Sequence, residues 1–154
     1  FGLKFFNVFG SDESKKGKMS SIIHQAFKQI KKTNKMQLFK SNDLKIKNGD
    51  QCRDFIYIED VINIIYFIYN NKIKSGIYNV GTGQATTFNT VVRNVFKSIQ
   101  KDEIIEYIEM PESLKGQYQN YTKADINKLR KAGYKKDFLN IEKSVCDYIV
   151  NYLV

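Results

Sequence analysis

The sequence predicts an α/β fold with parallel strand pairing, and three observations predict it. Short β-like runs alternate along the chain with stretches whose apolar residues recur at three-and-four spacing. The 154 residues are 42% hydrophobic and 14% aromatic, enough apolar material for one core of ordinary size. Glycines fall where the runs end. Strands that alternate with helices pair in parallel, and buried parallel strands need helical cover on both faces of the sheet. Only part of that cover is expected within these residues.

The elements follow in order. Leu3-Lys4-Phe5-Phe6-Asn7-Val8-Phe9 reads as one buried strand with no leader before it, and the first residue is Phe1 rather than methionine, so a fragment is expected. Met19, Ile22, Ile23, Ala26, Phe27 and Ile30 share one helical face, with Lys28, Lys31 and Lys32 opposite. Residues 40–52 are polar and punctuated by Gly49, which predicts a loop or small hairpin. Asp54 to Ile58 reads as a strand. Val61 to Tyr69 is apolar nearly all round and follows Asp60 as a cap, predicting a short helix buried on more than one side. Gly76 to Val80 is the next strand. Thr86-Thr87 offer capping hydroxyls to a helix carrying Phe88, Val91, Val92, Val95, Phe96 and Ile99. A strand at Ile104–Ile108 follows. Thr122-x-x-Asp125 and Gly133 bracket a helix near 123–131, and Ile141, Val145, Ile149 and Leu153 mark a closing one.

The formal charge of +9 invites a nucleic-acid reading, but of 25 basic residues only Arg53, Arg93 and Arg130 are arginines. The lysines are scattered, and no aromatic-interleaved basic motif of the known modules occurs. Cys52 and Cys146 lack a CxxC spacing, so neither a zinc site nor a disulfide framework is indicated, and a reduced cytoplasmic setting is expected. The apolar run Ile64 to Tyr69 falls well short of the roughly 20 residues of a membrane span.

Two stretches carry chemistry. In Arg-Asp-Phe-Ile-Tyr-Ile-Glu-Asp-Val, Arg53 stands at a strand end, where its guanidinium fork suits a phosphate. Alternatively it pairs structurally with Asp54 or Asp60. Tyr78-Asn79-Val80-Gly81-Thr82-Gly83 ends a strand in two glycines, which either admit a ligand to the backbone or only make a turn.

Together these stretches resemble the extended short-chain dehydrogenase/reductases, enzymes that act mainly on nucleotide sugars. Phe6-Asn7-Val8-Phe9-Gly10 resembles that family's F-N-V-Y-G segment, so the resemblance covers essentially the whole chain. Lys16-Gly17-Lys18-Met19-Ser20-Ser21 and the segment Leu114 to Asp125, LKGQYQNYTKAD, narrow it to the ADP-L-glycero-D-manno-heptose 6-epimerases. The fold implied is the C-terminal part of a Rossmann-type nucleotide-sugar epimerase. Residues 1–10 and about 53–85 would belong to the Rossmann-like part. Residues about 11–52 and 86–154 would belong mainly to the smaller substrate-binding part.

The resemblance implies inversion of C6 of ADP-D-glycero-D-manno-heptose through a transient ketone, supplying heptose for the lipopolysaccharide core. NADP is the implied cofactor, with NAD the alternative. Lys16 would be the catalytic proton-transfer group. A lysine amine of ordinary pKa, about 10.4, is a poor base, so burial or the charges of Lys15 and Lys18 would have to lower it. Val8 would lie beside the nicotinamide, and Asn7, Lys18, Gln25, Phe39, Lys40, Ser41, Asn42, Arg53 and Tyr118 would bind substrate. Lys18 replaces the family's serine. Gln25 stands where a histidine is expected, with His24 one residue earlier, about 100° around the helix, as a packing or surface histidine. Lys40-Ser41-Asn42 depart from the family's E-G-S.

No G-x-x-G-x-x-G turn follows a strand here, and no Tyr-x-x-x-Lys pair sits on a helix. Both are expected in a missing N-terminal Rossmann part, without which the chain should be inactive. The full-length form is expected to be a homo-oligomer with an ADP-sugar substrate and no nucleic-acid or membrane partner. The alternatives are a UDP- or dTDP-sugar 4-epimerase or 4,6-dehydratase, or a non-catalytic basic binding module.

Overall fold

The computed structural model describes residues 1–154. The first strand is interrupted. β1 (Gly2–Phe5) pairs in parallel with the later strand Ile77–Val80, Gly2 opposite Ile77, whereas β2 (Asn7–Phe9) pairs in parallel with Phe55–Tyr57, Asn7 opposite Phe55. The chain changes partner at Phe6: its N–H donates to Val80 O at 3.0 Å, and the next N–H donates to Asp54 O at 3.0 Å. One apolar run therefore serves two neighbours. Gly10 follows with φ 148°, and a Cβ there would lie 2.3 Å from Ile58 Cγ2, so only glycine lets the chain turn off the strand.

A 3₁₀ segment, Glu13–Met19, kinked at Gly17, leads into α1 (Ile22–Thr33). Ser21 caps α1 by accepting from His24 N at 3.2 Å. β3 (Met36–Phe39) was not expected; it pairs in parallel with Ile105–Ile108, its Met36 and Leu38 buried and Gln37 exposed. Residues 40–51 form a loop without a hairpin. β4 (Cys52–Arg53) and β5 (Phe55–Tyr57) then lead directly into α2 (Ile58–Asn70).

Asp60 does not cap α2. It lies inside the first turn, buried, and accepts from Leu139 N at 3.0 Å. Nor is α2 buried on several sides: Val61, Ile64 and Ile68 are buried, while Ile62, Ile65, Tyr66 and Tyr69 are exposed. Its buried face rests on Leu3, Val8, Ile56, Tyr78 and Val80, and the apolar residues of the other face are exposed.

β6 (Ile77–Val80) and β7 (Thr86–Thr87, antiparallel to β4) precede α3 (Phe88–Ser98), which Thr87 caps through Thr90 N at 3.0 Å. β8 (Ile105–Ile108), α4 (Glu112–Lys115), α5 (Asn127–Lys131) and α6 (Ile141–Tyr152) complete the chain. The box at Thr122 and Asp125 does not form; α5 starts later, and Asp125 accepts from Asn127 N at 2.9 Å in a local turn. Gly133, at φ 104°, does follow the end of that helix.

Two apolar clusters result. The larger, of 16 buried residues, packs α1, α3 and α6 around Phe9, Leu38, Phe55 and Tyr57. The smaller, of 8, seats α2 on Tyr78 and Val80 of β6 and includes Leu129 and Tyr134. Strand β5 joins them, because Ile56 faces the smaller cluster while Phe55 and Tyr57 face the larger.

Candidate functional site

Asp54, fully buried between β4 and β5, ties three loops together. Oδ1 accepts from Thr82 N at 2.8 Å and Thr82 Oγ1 at 2.7 Å; Oδ2 accepts from Gly83 N at 2.8 Å and Ala124 N at 3.0 Å. Arg53-Asp54, the Val80–Gly83 turn and the segment Tyr118–Asp125 are thus held by one carboxylate. The turn must come close for this: a Cβ on Gly81 would lie 2.6 Å from Ala124 Cβ and 3.0 Å from Asp54 Oδ2. The two glycines of this turn serve the carboxylate of the chain itself.

That leaves Arg53 without an acidic partner. Asp54 and Asp60 are both engaged elsewhere, and the guanidinium makes no ion pair. It lies 5.6 Å from the Phe88 ring centroid and 5.2 Å from that of Tyr118, and its Nη1 donates to Cys52 O at 2.9 Å. Burial draws its pKa down, and burial pushes that of the Tyr118 phenol up. An arginine so placed stays charged at neutral pH and has donors free for an anion.

Phe88 and Tyr118 also line a cavity of about 220 Å³ with Ile22, Met36, Leu38 and Phe39. Gln25, Gln29, Gln37 and Gln51 complete most of its wall. Gln51 is 1% exposed and its Nε2 has no acceptor. A buried amide without a partner costs about 1–3 kcal/mol.

A second cavity, of about 360 Å³, adjoins the first, sharing Ile22 and Phe88 with it; Asn7, Val8, Ser20 and Ser21 line it. Ser20 and Ser21 follow the turn that carries Lys16. Glu13, buried at 2% exposure, anchors that turn: Oε1 accepts from Ser21 N at 2.8 Å and Oε2 from Ser21 Oγ at 2.7 Å. Lys16 Nζ lies 3.8 Å from Glu13 Oε1 with its side chain half exposed. The Lys16 side chain is thus not buried, and its contact is a carboxylate, because Glu13 turns inward beneath it.

Of the other expected residues, Gln25, Phe39 and Tyr118 line the first cavity, and Asn7 and Val8 the second. Gln25 Nε2 donates to Ser20 O at 2.7 Å, fixing the end of the turn. Lys18 is exposed. Lys40, Ser41 and Asn42 line neither cavity: Lys40 pairs with Glu109 at 2.6 Å, Ser41 Oγ donates to Asp43 O at 2.9 Å, and Asn42 Nδ2 donates to Lys115 O at 3.2 Å.

His24 is buried, with Nδ1 3.0 Å from Tyr148 OH and Nε2 unpartnered. Burial, then the Lys28 charge, holds its pKa below the ordinary value, with Glu13 acting in the opposite sense. A lowered folded pKa means that the unfolded chain takes up this proton first. Stability should therefore be intact above pH about 6.5 and fall on acidification below it. Denaturant midpoints at pH 7.5 and 5.5 check this, and His24→Asn should flatten the slope between them.

The sequence model of the NAD dependent epimerase/dehydratase family matches residues 1–81. The chain belongs to that family. Within it, the chain is 45% identical to the ADP-L-glycero-D-manno-heptose-6-epimerase of Fusobacterium nucleatum subsp. nucleatum, over 99% of this chain and 48% of that protein. It is 42% identical to the enzyme of the same name from Brachyspira hyodysenteriae, over 96% of this chain and 44% of that protein. The chain spans about half the length of the curated relatives it matches. The crystal structure of Helicobacter pylori ADP-L-glycero-D-manno-heptose-6-epimerase superposes with a TM-score of 0.78 at 30% identity, over 97% of this chain and 42% of that one. UDP-glucose 4-epimerase from Thermotoga maritima shares the fold at 17% identity and a TM-score of 0.77.

Three residues at these cavities and at the Lys16 turn were passed over by sequence reasoning: Gln51 and Phe88 line the first cavity, and Glu13 anchors the turn. Gln51 reads as part of a polar loop and Phe88 as a helix-face residue, and nothing singled out Glu13. Only burial distinguishes Glu13 and Gln51, and a sequence carries no direct sign of it.

Proposed function

We propose that this chain supplies the substrate side of a nucleotide-sugar epimerase that inverts C6 of ADP-D-glycero-D-manno-heptose. The observation that carries this reading is Arg53, an unpaired guanidinium held between Phe88 and Tyr118 beside a cavity. The identity to heptose epimerases supports the choice of sugar and, with it, a role in heptose supply for the lipopolysaccharide core. Arg53 and Tyr118 bind the pyrophosphate, with Phe39 against the nucleoside. Asn7 hydrogen-bonds the sugar, and Gln25 holds the turn beside it. Lys18 reaches a sugar or phosphate oxygen from the exposed side of the same turn. Lys40, Ser41 and Asn42 bind substrate only if their loop leaves its present bonds.

The second cavity fits a nicotinamide group in one respect: it pairs the apolar edge of Val8 with the polar Asn7 and Ser20. A bound nicotinamide cofactor, NADP by our reading, would supply hydride abstraction and return at carbon 6. Lys16 moves a proton at the oxygen on that carbon, so the alcohol becomes a ketone as hydride leaves. The tyrosine of a Tyr-x-x-x-Lys pair, which these residues do not contain, would serve the hydride step on the opposite face. Glu13 holds the Lys16 turn against α1. The 154 residues contain neither a G-x-x-G-x-x-G turn nor a helical Tyr-x-x-x-Lys pair. We therefore assign turnover to a protein that joins them to this stretch, and none to this stretch alone.

Calorimetric titration with ADP tests the reading. Arg53→Ala should weaken binding about 30-fold, the usual scale for losing a charged hydrogen-bonding group. Arg53→Lys should recover only part of it, because a point charge lacks the fork. Equal affinities for all three proteins would remove Arg53 from the site.

A further inference from the structure

Arg53 accounts for the phosphates of an ADP-sugar and leaves unexplained the carboxamides in the neighbouring wall. Of the four, Gln29 is only partly buried, and two have work within the protein. Gln25 Nε2 donates to Ser20 O at 2.7 Å, and Gln37 Nε2 to Glu106 Oε2 at 3.3 Å. Gln51 differs. It is 1% exposed, its Nε2 is enclosed without an acceptor, and it lines the cavity. Its backbone is fixed, since Gln51 O accepts from Phe88 N at 3.1 Å at the start of α3. A buried, unsatisfied amide on an anchored backbone beside an empty volume is a recognition group in search of a partner.

The volume indicates what that partner is. At about 220 Å³ the cavity is smaller than the roughly 300–1,000 Å³ that encloses a whole drug-sized ligand, and it suits one ring system. Phe39, Phe88 and Leu38 give it apolar walls for the faces of a flat ring. A carboxamide presents a donor and an acceptor side by side. The adenine edge presents the complement, an amine donor next to a ring-nitrogen acceptor. On the edge that carries N7, replacing that amine with a carbonyl, as in hypoxanthine, leaves two acceptors facing a carboxamide that has a single donor nitrogen.

We propose that Gln51 reads the adenine ring of the nucleotide sugar and sets the base specificity of this site. The inference rests on the ADP-sugar reading above.

The test is titration of the chain with ADP, IDP, UDP and inorganic pyrophosphate, each against wild type and Gln51→Leu. Wild type should bind ADP about tenfold more tightly than IDP, the scale of one well-made hydrogen bond in a buried site. Gln51→Leu should bind the two equally and leave pyrophosphate affinity unchanged. In wild type, the Gln51 side-chain amide signals should move on addition of ADP and stay in place with pyrophosphate, a readout that needs no variant to fold. An unchanged ADP-to-IDP ratio in Gln51→Leu, or silent amide signals, overturns the base-reading role while ADP binding and its dependence on Arg53 persist. If neither ADP nor pyrophosphate binds, the ADP-sugar reading falls and this inference with it.

Discussion

Asp54→Ala should destabilise the fold by ~3–4 kcal/mol, near the upper end for a single substitution. The carboxylate is fully buried and accepts from the N–H groups of Thr82, Gly83 and Ala124 and from the Thr82 hydroxyl. Removing it leaves three backbone donors without acceptors in a space too tight for a side chain at Gly81. Each unsatisfied donor costs about 1–3 kcal/mol, less whatever water can recover. Asp54→Asn should cost nearly as much, because its NH₂ would face N–H donors. Guanidinium denaturation checks the magnitude. Hydrogen exchange checks the cause: the amides of Thr82, Gly83 and Ala124 should lose protection together, though they come from two segments. An unfolding free energy within about 1 kcal/mol of wild type would mean that the loops hold one another without the carboxylate.

Lys16→Met should lower kcat about 1,000-fold in the protein that joins this stretch to a dinucleotide-binding half, a loss within the range for a positioned acid–base group. KM and ADP affinity should change little, because Lys16 lies on the turn beside the second cavity and Arg53 beside the first. This split between kcat and KM separates proton transfer from binding. Glu13 predicts the companion result. Its carboxylate is the contact of Lys16, at 3.8 Å, and holds Ser21 at 2.8 Å, so Glu13→Gln should disturb the turn and kcat together. A Lys16→Met kcat within threefold of the parent would move the proton transfer to another group.

Much of the fold was legible because period and capping are local. The helices at Ile22–Thr33, Phe88–Ser98 and Ile141–Tyr152 follow from apolar spacing, and Ser21, Thr87 and Asn140 cap them as short polar side chains do. β3 escaped notice because four residues, Met36–Phe39, are too few for alternation to stand out before a polar loop. The Thr122–Asp125 box fails locally, because Asp125 accepts from Asn127 N two residues on, whereas Asp60 was misplaced by a distant contact. A carboxylate near a helix start caps it only if no distant donor claims it first, and Leu139 N claims Asp60 from 79 residues away.

The sequence by itself determined the α/β class, the helix faces and the motifs that carry the family resemblance, since each depends on residues within a few positions of one another. Only the tertiary structure decided the rest. It broke the first strand between two partners at Phe6, and it gave the turn at Gly81 and Gly83 to Asp54 and not to a ligand. It left Arg53 without a carboxylate, put Glu13 under Lys16 and buried Gln51 without a partner. These are outcomes of competition between groups far apart in the chain. Which donor reaches which acceptor, and which is left over, depends on distances that exist only after the chain has folded.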